Sequence, residues 1–391
     1  MLLIGVLLYL ISCNSSYSEN RKSDETGNNS AFQEEEIKFK NGDTSLFGTL
    51  YRPISNGKHH AVVILSGSDR SRRGPLRIKI AEYFALNKIA ALVYDSPGTG
   101  RSSGNAFFQT RHDRVIEALA AAEFLRGQSG IRSNAIGLFG GSEGGDISVL
   151  AAAKSPDIAF VIPVSSSLGV SILDVLGYSA EKKGYRDGLT MNEIIKAKTF
   201  KELSFVLFSG VNIVEWSLIK TRVNAWENEP WDKLLEIAQL RLKKLSDNDK
   251  KRVLNTFKLV IHEFKDQNWF HSVDIGDSIQ RTASLDTDHF FRILDMPRYS
   301  SDWDKSIQDV TGIRCPILAI WGEEDSFLPP VQSMARLKKS LDEMKHGEYK
   351  MKIFPEASHF LTVKDSRTTF VSGYLELMTD WIKIHTQTIP E

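Results

Sequence analysis

Several functional classes are excluded by what the sequence lacks. Its 391 residues hold only two cysteines, Cys13 and Cys315, with no Cys-x-x-Cys pair and no Cys/His cluster. A thiolate zinc site and a disulfide framework are therefore ruled out. Cys315, in Arg314-Cys315-Pro316 just before an apolar run, reads as a small buried hydrophobe. An excess of one charge is also missing, since 49 Lys+Arg face 49 Asp+Glu. A nucleic-acid binder would normally carry a basic face. No run of like charges is long enough to tether the chain to an anionic membrane. The apolar stretch Leu2 to Ile11 falls short of the roughly 20 residues a membrane-spanning helix needs. There is no internal repeat. What remains is an ordinary folded composition, 41% hydrophobic and 25% charged. A chain of this length buries a large core without metal or disulfide.

The stretch Leu2 to Ile11 does match the apolar core of a secretory signal. It ends in Leu10-Ile11-Ser12-Cys13, which resembles the bacterial lipoprotein processing box, although no Lys or Arg precedes the run. The resemblance implies that residues 1–13 are a lipoprotein-type signal, with Cys13 becoming the lipid-modified first residue. It also implies export to a bacterial cell envelope, at the periplasm or the cell surface, with membrane contact only through that anchor. Residues 14–33 are rich in Ser, Asn and charge and read as a flexible tether.

The rest of the chain predicts an α/β fold, a mostly parallel central sheet flanked by helices. Glu35 to Phe39 and Ser45 to Tyr51 flank Asn41-Gly42-Asp43, a hairpin signal. Ala61 to Leu65, Ala90 to Tyr94 and Ala135 to Phe139 are continuous apolar runs, as in strands buried on both faces. Helical segments are expected over Leu76 to Leu86, Arg111 to Leu125 and Gly144 to Ala153, with a strand over Ile158 to Val164. From about Ser167 to about Tyr299 the periodicity is helical, with Trp216, Trp226, Trp231 and Trp269 in it. The sheet pattern resumes at Pro316 to Trp321 and Lys350 to Phe354, and Thr369 to Ile384 reads as a closing helix. Residues 34–166 and 306–391 are thus expected to form one core, and residues 167–305 a helical cap inserted into it. The aromatic residues of that insertion fit either an acyl pocket or plain core packing.

Chemistry concentrates where strands end. Gly140-Gly141-Ser142-Glu143-Gly144 follows a strand and precedes a helix, the context in which Gly-x-Ser-x-Gly forms a sharp elbow that exposes the serine. A capping serine in a tight turn is the plainer account. A serine nucleophile needs a base, and the base an orienting carboxylate. His359 and Asp325 each lie in a loop after an expected late strand. Of the nine histidines, no other does. Glu323 and Glu324 compete with Asp325 for the acid role. Backbone N–H groups of Glu143 and of Ser68, in Leu65-Ser66-Gly67-Ser68-Asp69, are candidates for an oxyanion hole. Arg70, Arg72 and Arg73 nearby read as exposed loop charge or as a site for an anionic substrate.

These segments, in this order, resemble the α/β-hydrolase superfamily. More narrowly, Gly141-Ser142-Glu143-Gly144-Gly145 is similar to the esterase-type branch. Asp95-Ser96-Pro97-Gly98-Thr99-Gly100-Arg101-Ser102 resembles that branch's loop after the fourth strand, with Pro97 where Arg is usual. The resemblance implies a serine esterase acting on a small-molecule acyl substrate, needing neither metal nor organic cofactor and no nucleic acid. It implies Ser142, His359 and Asp325 as the catalytic triad. Two other readings stay open. One is a peptidase, amidase, thioesterase or acyltransferase using the same triad. The other is a non-catalytic surface lipoprotein that binds apolar ligands.

Overall fold

Phe32–Asn41 (β1) and Thr44–Pro53 (β2) pair as an antiparallel hairpin in which Asn41 faces Thr44 across Gly42-Asp43. Gly42 takes the positive φ, 55°, that such a two-residue turn requires. The apolar runs form His59–Leu65 (β3), Ile89–Tyr94 (β4), Ile131–Gly141 (β5), Val161–Val164 (β6), Ile317–Gly322 (β7) and Tyr349–Phe354 (β8). They assemble one sheet in the order β1-β2-β4-β3-β5-β6-β7-β8. β1–β2 and β2–β4 are antiparallel, and every other pair is parallel. This is the expected fold class.

The computed structural model describes residues 31–69, 73–106, 109–209, 216–226, 229–272, 284–294, 312–364, 366 and 368–387. The expected signal and its Cys13, nearly all of the tether, Arg70, Arg72 and the end of the inserted block lie outside the described residues; the last two residues expected in the tether, Phe32 and Gln33, instead pair with Pro53 and Arg52 in β1.

Period-2 alternation along each buried strand sends side chains to both faces of the sheet. In β3, Ala61, Val63 and Leu65 point to one face, and Val62 and Ile64 to the other. The first face is covered by helices Arg111–Arg126 (α2) and Glu143–Lys154 (α3), through residues such as Val115, Leu125 and Ile147. The second is covered by Pro75–Leu86 (α1) and Tyr374–Gln387, through Phe84, Met378 and Ile382. Crossing from strand to helix and back puts every parallel strand's carboxyl end on one edge, where such sheets bind ligands.

Three local expectations need correcting. The closing helix begins at Tyr374, not at Thr369. Phe370 is instead bridged to Thr362, and Gly373, with φ 80°, turns the chain before the helix starts. The sixth strand is shorter than the apolar run Ile158 to Val164. Residues 158–160 only begin to pair with β5, Ala159 N–H donating to Ile136 O at 2.8 Å. Cys315 is half-buried rather than fully enclosed, and burial still pushes its thiol up to about 12.

The chain divides into two compact units. One contains the described residues before Ser171 and from Gly312 onward. The other contains the described residues from Ser171 to Leu294. In this second unit the regular elements among the described residues are helices, including Ile172–Arg186, Met191–Ser209, Glu229–Arg241 and Asp247–Phe264. Its aromatic residues pack on one another. Trp231 lies 5.3 Å from Trp269 and 4.7 Å from Phe264 between ring centroids, and Phe257 lies 5.6 Å from Phe290. Core packing therefore accounts for these rings. Among the described residues no helix is long and apolar enough to cross a membrane.

Lys201 is a fully buried member of this unit, with Nζ 3.4 Å from Ser179 Oγ. Burial, with Lys183 nearby, lowers its ammonium from 10.5 to about 7. An unfolded lysine binds its proton at higher pH than this folded one, so folding is favoured above pH 10.5 and loses stability as pH falls toward 7. Denaturant unfolding followed by tryptophan fluorescence should show stability rising from pH 7 to pH 9. Lys201→Met should flatten that slope, and an unchanged slope in the variant would contradict the assignment.

Candidate active site

β5 ends in Gly140-Gly141 and α3 starts at Glu143, which leaves Ser142 to make the turn alone. It does so at φ 56° and ψ −129°, a region costing an L-residue on the order of 1–3 kcal/mol. Nearby glycines are packed too tightly to carry side chains. A Cβ on Gly140 would stand 2.1 Å from Gly144 O, and one on Gly145 1.8 Å from Ser166 Oγ. Ser142 is held by its backbone. Its N–H donates to Val164 O at 2.8 Å, and its carbonyl accepts from Gly145 N–H and Ser166 Oγ, both at 2.9 Å. The hydroxyl thus sits at the carboxyl end of a central strand and at a helix N-terminus, where partial positive charge favours a developing anion.

The loop after β3 runs beside it. A Cβ built on Gly67 would lie 3.6 Å from Ser142 Cβ, so the Gly67 backbone passes close to the serine. Ser68 follows, nearly buried at 2% exposure. The loop that carries Ser68 therefore passes beside the elbow that carries Glu143.

Asp325 and His359 meet in the loops after β7 and β8. His359 Nδ1 lies 2.7 Å from Asp325 Oδ2, and both side chains are buried. The other carboxylate oxygen accepts from the backbone N–H groups of Phe327 at 2.8 Å and Leu328 at 2.9 Å. Glu324 is not the partner of His359. Its backbone N–H donates to Ala357 O, locking one loop to the other. Glu323 accepts from Glu356 N–H. Gly322 makes the approach possible, because a Cβ there would stand 2.3 Å from the carbonyls of both Ala357 and Ser358. His359 itself packs against Phe327, with ring centroids 5.0 Å apart. An imidazole whose Nδ1–H is held by a carboxylate presents Nε2 as the proton acceptor.

The loop after β6 links these two parts. Ser166 Oγ donates to Ser142 O, while Ser166 O accepts from Trp321 Nε1 at 2.9 Å. Sequence reasoning did not identify this link, nor the buried ion pairs behind the elbow. Arg111 lies 3.3 Å from Asp146, and Arg114 lies 2.9 Å from Glu143. Asp146 also accepts from Ser167 Oγ and Leu168 N–H, both at 2.9 Å. Burial raises the Asp146 carboxyl, with Arg111 opposing. A signal was present: Arg111 and Arg114 fall at helical spacing with the buried Ala118, Ala121 and Leu125, on the inward face of α2. Arg73 pairs with Asp95 and Glu36. It therefore answers structural carboxylates rather than standing as free loop charge.

No protein-family profile matches the chain, and no curated protein sequence matches it either. Solved structures do. A hypothetical protein of Pseudomonas aeruginosa superposes with a TM-score of 0.50 at 16% identity, covering 95% of this chain and 100% of its own. The proline iminopeptidase of Mycobacterium smegmatis gives 0.51 at 14% identity, over 90% of this chain and 98% of its own. DcsB in complex with its substrate analogue gives 0.51 at 16%, over 91% and 99%. With the sheet order and the elbow after β5, these likenesses establish the α/β-hydrolase fold.

The strain at Ser142 has a measurable consequence. Ser142→Gly should be more stable than Ser142→Ala by about 1 kcal/mol in denaturant unfolding, because glycine accepts this backbone without strain. Equal stabilities would show that the elbow is relaxed.

Proposed function

We propose that the chain is a serine hydrolase that cleaves carboxylic acyl esters through an acyl-enzyme intermediate. The observation that carries the reading is the 2.7 Å bond from His359 to Asp325, in loops on the same sheet edge as the strained Ser142 elbow. In this reading His359 Nε2 takes the Ser142 hydroxyl proton as Oγ attacks the acyl carbonyl. The Ser68 and Glu143 backbone N–H groups bind the oxyanion. The carbon–oxygen bond to the leaving alcohol then breaks as His359 returns the proton to it. Water repeats the sequence to release the acid. Asp325 fixes the imidazole tautomer and stabilises the imidazolium. A dehalogenase or epoxide hydrolase would use an acidic nucleophile, whereas a serine stands here. The same groups would serve an amide or a thioester.

The proposal includes export and anchoring. Cys13 carries a lipid, residues 14–31 tether the fold to the envelope, and residues 167–305 act as a cap. Cys13→Ser should move the protein from the membrane fraction to the soluble fraction of the producing cell, and unchanged fractionation would remove the anchor.

Activity is tested with a matched p-nitrophenyl ester and p-nitroanilide. The ester should turn over and the anilide much less. Ser142→Ala should abolish turnover in a folded protein. Asp325→Asn should lower kcat by on the order of 10⁴, since the tautomer is then wrong. Preferred anilide turnover would make the chain a peptidase or amidase. Wild-type turnover by Ser142→Ala would remove Ser142 as nucleophile.

A further inference from the structure

Arg114 lies in the first turns of α2, a helix start fixed by Thr110 and Asp113 in a reciprocal capping box. Its guanidinium is buried, at 4% exposure, and divides its contacts between two separate segments. Nη1 lies 2.9 Å from Glu143 Oε2. Nη2 donates to the Ser66 carbonyl and, at 3.2 Å, to Ser66 Oγ. Glu143 opens α3 directly after Ser142. Ser66 opens the Ser66-Gly67-Ser68 turn. One planar cation therefore touches both segments that supply oxyanion donors in the proposed mechanism.

We propose that Arg114 is a positioning residue that holds the two halves of the oxyanion hole in register. The inference rests on the reading of Ser142 as nucleophile. In a trans peptide the carbonyl and the following N–H point in opposite directions, so anchoring Ser66 O fixes the direction of the Gly67 N–H and the entry to the Ser68 amide. Anchoring the Glu143 carboxylate fixes the first residue of the helix. The guanidinium reaches both at once, Nη2 donating to Ser66 while Nη1 faces the Glu143 carboxylate as an ion pair, a span that an ammonium, a single point of charge, does not cover. Space enforces the same register, for a Cβ on Gly144 would stand 2.5 Å from Ser66 O. Arg111 repeats the device one turn earlier by holding Asp146, which in turn holds the backbone at Leu168 after β6.

A merely structural ion pair would behave differently, and kinetics on the p-nitrophenyl ester separate the two cases. Arg114→Lys and Arg114→Met should lower kcat by about ten- to a hundredfold, somewhat less than the loss of a whole oxyanion donor, with KM within about threefold. Affinity for an alkyl boronic acid, which forms a tetrahedral adduct on serine, should fall by a similar factor. Lysine should restore stability better than it restores kcat. Arg114→Met combined with Glu143→Met removes both buried charges together. Its kcat should stay low, because Ser66 is still unanchored. Recovery of kcat to within about threefold of wild type in that double variant, or in Arg114→Lys, overturns the inference. Should Arg114→Met fail to fold, these two variants decide. The Ser142→Ala control separates the two levels. If that variant still hydrolyses the ester, the nucleophile reading falls and this inference falls with it. If that variant is inert while Arg114→Lys matches wild type, this inference alone falls.

Discussion

The site is built around one constrained residue. Ser142 must take a left-handed backbone between the last residues of β5 and the first turn of α3. That turn closes because three positions beside it are glycine: Gly140, Gly144 and Gly145 each face another backbone or hydroxyl at less than van der Waals distance from where a Cβ would be. The cost of the strained turn is offset by hydrogen bonds to Ser142 from the β6 side and by the packed helix that follows. The gain is a hydroxyl held out at a helix N-terminus, with its backbone unable to relax away.

Everything else at this edge of the sheet is arranged to make that position definite. The loop after β6 joins Ser142 to Trp321 through Ser166. The loops after β7 and β8 are locked together by Gly322 and by the Glu324–Ala357 bond, so Asp325 and His359 meet without depending on solvent-exposed contacts. Behind the elbow, two arginines of α2 answer two carboxylates of α3. Buried ion pairs add little net stability compared with apolar packing, but losing one partner is costly. Their place here is better understood as fixing loop positions, since each pair also reaches a backbone group of a neighbouring loop.

Much of this could be read from the residues in order. Apolar runs such as Ile89–Tyr94 and Ile317–Gly322 are strands because only a sheet covered on both faces buries them completely. The elbow, Asp325 and His359 could be named because each follows such a run. The hidden parts depend on contacts between distant segments. The late start of the last helix comes from Phe370 bridging back to Thr362, which local periodicity does not reveal. Arg111 and Arg114 find their partners on another helix, α3, which the spacing along their own helix does not reveal. The sequence already favours Asp325 over Glu323 and Glu324, and the backbone path through their shared loop is what brings its carboxylate to the imidazole.

The central claim is that Ser142 is an activated nucleophile. A fluorophosphonate probe tests it most directly, since it reacts covalently with such serines and requires no knowledge of the substrate. After treatment of the folded protein and peptide mass mapping, the account predicts a single adduct on Ser142 that is lost in His359→Ala. A folded sample that stays unlabelled, or that carries its adduct on another serine, would contradict it.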